Sequence, residues 1–191
     1  MRGAYPETIF GAGANVAPEL SLLSISRLVP KKNLRLLLQS FARAGGGSDG
    51  FILNIGGTGP QLEELRELSR ELKLDHRIKF LGYIAEADLY KVYTGCTAFV
   101  LLDVADYNIS LYEALALGRR VIVSDDQEIF DGLSHCENIH RTKLDPAAVA
   151  AAMSEALSRS PSPLRSADYA ALRELTWDSY GHNILRELKP C

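Results

Sequence analysis

No apolar run in this sequence approaches the roughly 18 to 20 residues needed to cross a bilayer, and the opening MRGAYPETIF has no charged leader followed by an apolar block. A cytoplasmic protein is therefore expected. Cysteine is scarce: Cys96, Cys136 and Cys191 form an odd, widely spaced set, which argues against a disulfide framework and fits a reducing compartment. His135, Cys136 and His140 lie close together, but no second ligand cluster completes a metal site, so no metal is expected. An excess of one charge is also missing. With 21 Lys and Arg against 24 Asp and Glu the net charge is -3, and no strong field points to nucleic acid or an anionic membrane. Internal repeats are absent, as is low complexity beyond one short glycine run. At 191 residues with 47% apolar content, the chain can bury one good core.

What remains is an alternation of short apolar runs with amphipathic stretches, the pattern of a parallel sheet flanked by helices. Candidate strands are 20–26, 51–56, 78–82, 98–102, 120–124 and 138–140. Between the first two, Leu34, Leu37, Leu38 and Phe41 recur at helical spacing, with Asn33 as a cap and Gly45 to Gly47 as the stop. Pro60 opens a second helix, with Glu63 and Glu64 in its first turn and Leu62, Leu65, Leu68 and Leu72 on one face. Residues 87–94, 110–117 and 146–157 read as further helices, the second ended by Gly118. The stretch 159–166 reads as a connection, and Tyr180, Ile184, Leu185 and Leu188 suggest a terminal helix. The fold class is α/β, a Rossmann-like doubly wound and mostly parallel six-stranded sheet with helices on both faces.

Such a sheet binds ligands outside the carboxyl ends of its strands. In SRLVPKKN, Arg27, Lys31 and Lys32 fall between a strand and a helix, where they can neutralise a diphosphate or simply form a solvated charge run. GGTGP brings main chain close to a ligand at Gly57, and the amides at the start of the Pro60 helix face the same crevice; a turn needed only for chain reversal is the plainer reading. Its spacing differs from the dinucleotide fingerprint GxGxxG. In DYNISLYEALALG the helix start points the amides of Ile109, Ser110 and Leu111 at the strand ends, a setting suited to phosphate oxygens. Glu113, one turn further in, can accept hydroxyl hydrogen bonds from a ribose or merely favour the helix dipole.

Taken together, SRLVPKKN, ILNIGGTGP, RIKFLGYI, YNISLYEALALGRRVIVSD, LDPAAVAAAM and LTWDSYGHNIL resemble, in order and spacing, the carboxyl-terminal donor-binding domain of the GT-B retaining glycosyltransferases of group 1. The resemblance implies that Arg27 and Lys32 contact the diphosphate of a nucleoside-diphosphate sugar and act catalytically. It places the main chain of Asn108, Ile109, Ser110 and Leu111 on the phosphates, Glu113 on the ribose, Gly57 against the donor, and Tyr83 with Ile84 beside the base. It implies no cofactor and no metal, because cationic side chains and a helix terminus neutralise the leaving group.

Two departures stand out. The family's glutamate pair is separated by seven residues, and counting back from Glu113 reaches Ala105; Asp103 or Asp106 is near enough to substitute. The second is size. Residues 1–19 resemble an interdomain linker, 20–176 the donor domain, and 177–191 a helix that crosses to an amino-terminal acceptor domain, which this chain lacks. That domain, in the same longer product or on another chain, would bring the glycan or lipid-linked acceptor and a peripheral position at the inner face of a membrane. Transferase activity of the chain alone is expected to be negligible. The rival readings are a degenerate or scaffolding module, favoured by Ala105, and a nucleotide-sugar epimerase, for which histidine and carboxylate catalytic groups are not found.

Overall fold

The computed structural model describes residues 20–45, 50–104, 108–159 and 163–176. The expected linker over 1–19 and the helix expected after Trp177 lie outside these residues. Six strands form one sheet: β1 (Ser21–Ile25), β2 (Ile52–Gly56), β3 (Ile78–Gly82), β4 (Ala98–Leu101), β5 (Arg120–Ser124) and β6 (Ile139–Thr142). Their order is β3-β2-β1-β4-β5-β6 and every ladder is parallel. The winding direction reverses between β1 and β4, so the crevice of a doubly wound sheet falls there. This is also the shortest ladder: Leu22 and Leu23 pair with Ala98 and Phe99, whereas β1 and β2 share register over Ser21 to Ile25.

Side chains alternate across the sheet with a period of two, and the sequence fills both faces. Leu22, Leu53, Ile55, Val100 and Ile122 pack on one side beneath α1 (Leu34–Arg43), α2 (Leu62–Glu71) and α5 (Pro146–Ser158). Leu23, Phe99, Leu101, Val121 and Val123 pack on the other beneath α3 (Glu86–Thr94), α4 (Ile109–Ala116) and α6 (Ser166–Glu174). Burial on both faces explains why β4 and β5 read as unbroken apolar runs rather than alternating ones. On the edge strand β3 the alternation returns, with Ile78 buried and Leu81 exposed.

The helix expectations hold with local corrections. Leu34, Leu37, Leu38 and Phe41 are all buried on α1, and Phe41 meets the Phe51 ring edge-on at 5.2 Å. Asn33 does occupy the N-cap position, but in a left-handed conformation and without a side-chain cap. Its amide Nδ2 instead donates to the Leu102 carbonyl at 2.7 Å, tying the end of β4 to the loop after β1. Pro60 lies in the turn ahead of α2. At this helix start Gln61 N donates to the Leu28 carbonyl and Leu62 N to that of Gly59. Of these two amides, expected at the crevice, the first joins two loops and the second closes the turn itself. Helix α5 follows the expected form: Asp145 Oδ1 accepts from Ala147 N at 2.9 Å and Ala148 N at 3.0 Å, with Pro146 in the first turn.

Helix α6 is not expected from the sequence, which reads as a connection over 159–166 and suggests its next helix only after Trp177. Its buried stripe is thin, Ala171 and Leu172, and its start is set by a charged pair rather than a Ser or Thr cap. Asp168 accepts from the Arg165 amide at 3.0 Å and from its guanidinium at 2.9 and 3.0 Å. That guanidinium, with the amide bond, holds the Asp168 carboxyl below its usual range.

Candidate functional site

Three loops meet at the carboxyl ends of β1, β2 and β3 because glycine lets their backbones touch. Ser26 N donates to the Gly56 carbonyl at 3.1 Å, Leu28 N to that of Thr58 at 2.9 Å, and Gly57 N to that of Gly82 at 2.7 Å. Gly57 has φ +116°, and a Cβ there would stand 1.9 Å from the Ser26 carbonyl oxygen. The glycine turn is thus a knot of loop-to-loop contact as well as a chain reversal. Helix α4 closes the far side, with Asn108 at its N-cap.

Between these elements lies a crevice of about 550 Å³. Arg27, Lys32, Gly57, Tyr83, Ile84, Asn108, Ile109, Ser110 and Glu113 all line it, so nine of the ten sequence-predicted site residues meet in one place. The tenth does not. Leu111 is fully buried, and its amide donates to the Asn108 carbonyl at 3.2 Å, so neither its side chain nor its N–H serves the crevice. The amides of Ile109 and Ser110 have no hydrogen-bond partner among the described residues, as expected of a helix start.

The positive groups are held differently from one another. Arg27 is exposed. Lys32 is buried, forms an ion pair with the fully buried Asp103, and donates to Asn108 Oδ1 at 3.1 Å. Asp103 also accepts from Val104 N at 3.0 Å and from Asn108 Nδ2 at 3.2 Å, and the same Nδ2 reaches Gln127 Oε1 at 3.4 Å. Two consequences follow. Asp103 is committed beneath the crevice to Lys32, which removes it as a replacement for the absent first glutamate at the crevice surface; Ala105 and Asp106 lie outside the described residues. The net positive charge facing a ligand then comes chiefly from Arg27 and the α4 terminus.

Glu113 is half-buried, and its Oε2 accepts from the Tyr93 hydroxyl at 2.7 Å. Burial pushes the Glu113 carboxyl above its ordinary value, the Tyr93 bond opposes that, and the Glu86 charge adds to it. Burial and the Glu113 charge raise the Tyr93 phenol well above its ordinary value, so Tyr93 stays protonated and donates.

Tyr93 and Gln127 were missed in the sequence. Tyr93 sits on the inner face of α3 and reads as core, which leaves no signal of a site role. Gln127 follows β5, and the strand-end rule applied to that loop would have found it. A second cavity, of about 440 Å³, lies against the same loop, lined by Tyr112, Glu128, Phe130 and Arg141 among others. No sequence-predicted residue reaches it. Among the described residues no group of three or more His, Cys, Asp and Glu is arranged to hold a metal, and no helix is long and apolar enough to cross a membrane.

An all-parallel doubly wound sheet with this crevice at its switch point makes the chain a Rossmann-like domain. The chain belongs to the family Glycosyl transferases group 1, whose model matches residues 7–173. It is 30% identical over 105 residues, 54% of this chain and 24% of the relative, to the alpha-monoglucosyldiacylglycerol synthase of Streptococcus pneumoniae. In fold it is similar to S. aureus TarM in complex with UDP (TM-score 0.79, 15% identity, 95% of this chain and 38% of the other). It is similar also to Anabaena HepE in complex with UDP and glucose (TM-score 0.74, 19% identity, 93% and 50%). The chain spans less than a third of the curated relatives it matches.

Proposed function

We propose that this chain is the donor-binding half of a retaining glycosyltransferase that uses a nucleoside-diphosphate sugar. The observation that supports it is the convergence of Arg27, Lys32, Glu113, the Ile109 and Ser110 amides and the Tyr83–Ile84 segment on one crevice at the switch point. In this reading the diphosphate lies across the α4 terminus, where unpaired amides and the helix dipole favour anions. Arg27 grips its oxygens, and Lys32, its charge balanced by Asp103 and its ammonium held by Asp103 and Asn108, offers a hydrogen-bond donor from below. Glu113 takes the ribose hydroxyls, and Tyr83 with Ile84 flanks the base. As the glycosidic bond breaks, negative charge grows on the leaving diphosphate, and groups already oriented there stabilise the transition state. The charge neutralisation is supplied by side chains and a helix end, without a metal or other cofactor.

The acceptor, a glycan or lipid-linked sugar in polysaccharide or lipopolysaccharide-type synthesis, is met by an amino-terminal domain in the same longer product or on a partner. The whole enzyme works in the cytoplasm, peripheral to the inner face of a membrane, and this half alone turns over negligibly. A second reading, a degenerate module that has lost turnover, is favoured by Ala105 together with the commitment of Asp103 to Lys32.

Thermal unfolding with UDP, GDP and ADP tests the donor site. A diphosphate at about a hundred times its Kd stabilises the fold by roughly 2.7 kcal/mol. That gain should vanish in Arg27→Ala; no response to any of the three would sink the reading. Transfer by the isolated chain to an added acceptor at a robust rate would refute the claim of incompleteness.

A further inference from the structure

Tyr93 is more than a core residue. It is 1% exposed, its ring packs against Phe99 with centroids 5.6 Å apart, and its hydroxyl points at a carboxylate that lines the crevice. A buried phenol needs an acceptor, but a main-chain carbonyl would satisfy it without burying charge. Here the acceptor is Glu113 Oε2, and Oε1 has no partner among the described residues. We propose that Tyr93 is a positioning residue for donor recognition: its fixed hydroxyl pins one oxygen of Glu113 and so presents the other to the ribose hydroxyls of the nucleotide. This rests on the donor-site reading and deepens it at a residue buried in the crevice wall, whose hydroxyl is spent on Glu113.

The arrangement has the right chemistry. A carboxylate free to rotate loses orientational entropy on binding, and one oxygen already held reduces that loss. The hydrogen bond also favours the ionised form against the burial that opposes it, keeping Glu113 an acceptor for two hydroxyls. The other charged or titratable neighbours are Glu86, which acts on Glu113, Cys96, which acts on Tyr93, and Arg27 and Lys32, which share the crevice.

Calorimetric binding of UDP and GDP, each beside its 2′,3′-dideoxy counterpart, tests the assignment. In Tyr93→Phe the tighter ribonucleotide should weaken about tenfold, in keeping with one charge-assisted hydrogen bond, while its dideoxy form changes less than about twofold. Equal weakening of both, or of neither, would overturn the proposal and leave Tyr93 as packing. 3-Fluorotyrosine in place of Tyr93 keeps the packing and strengthens the donor. The pH below which ribose preference is lost should move down with it and up with Tyr93→Phe, and an unmoved midpoint again refutes the role. If the wild-type chain binds neither diphosphate, the donor-site reading fails and takes this one with it. If the wild-type discriminates ribose and the Tyr93 variants do so equally, the donor site stands and only the positioning role falls.

Discussion

Replacing Lys32 by methionine keeps most of the side-chain volume and removes the charge that balances Asp103. In the native chain the two side chains are 8% and 0% exposed, so the carboxylate cannot recruit bulk water once its partner is gone. Among the described residues it would retain the Val104 amide at 3.0 Å and the Asn108 amide at 3.2 Å. Removing one member of a buried pair typically costs about 3–5 kcal/mol. In a domain of this size each kcal/mol lowers Tm by roughly 2–4 °C, so Lys32→Met is expected to melt about 6–20 °C below wild type. Changing Asp103→Leu in the same chain should recover most of the loss, since an apolar pair of similar volume is often as stable as the ions. The Arg35–Glu64 pair, 49% and 46% exposed, is an internal control, and Arg35→Met should cost no more than about 1 kcal/mol. Urea unfolding of the three variants and wild type gives the comparison. A Lys32→Met loss no larger than that of Arg35→Met would refute the claim that Lys32 is held by a buried counter-charge.

Gly57→Ala meets both a positive φ and the Ser26 carbonyl, and is expected to cost at least about 2 kcal/mol in urea unfolding. Gly118→Ala, with φ +70° and nothing within 4 Å of the added Cβ, should lose only the left-handed penalty of about 1–2 kcal/mol. Because burial raises the folded-state titration of Glu113 above its ordinary 4.5, its stabilising contribution is full below that value and is lost as pH rises through the folded one. Glu113→Gln should therefore gain stability relative to wild type between pH 4 and pH 7, and an unchanged pH profile would contradict the shift. Tyr83 is 81% exposed, so Tyr83→Ala should leave stability within about 0.5 kcal/mol of wild type while weakening diphosphate binding by calorimetry.

The fold was legible because period and punctuation agreed from element to element. Leu34, Leu37, Leu38 and Phe41 announce one helix face, and Pro146 behind Asp145 announces another helix start. Helix α6 escaped because an Arg165–Asp168 pair does the work usually given to a serine or threonine cap. Site residues in loops were readable from the strand-end rule, which is why Arg27, Gly57 and Tyr83 converge. What one-dimensional reasoning does not supply is the direction in which a side chain turns. Asp103 looked available and is consumed by Lys32, Asn33 looked like a cap and reaches β4, and Leu111 looked like part of an anion cradle and packs in the core.

The brief β1–β4 ladder makes the molecule a pair of half-sheets joined along a short seam. Arg27, Gly57 and Tyr83 stand on one side of it, and Ile109 and Glu113 on the other. A nucleotide lying across would act as a stitch, and amide hydrogen exchange should slow in both halves at once when UDP or GDP binds, with Ser24 and Val100 protected together.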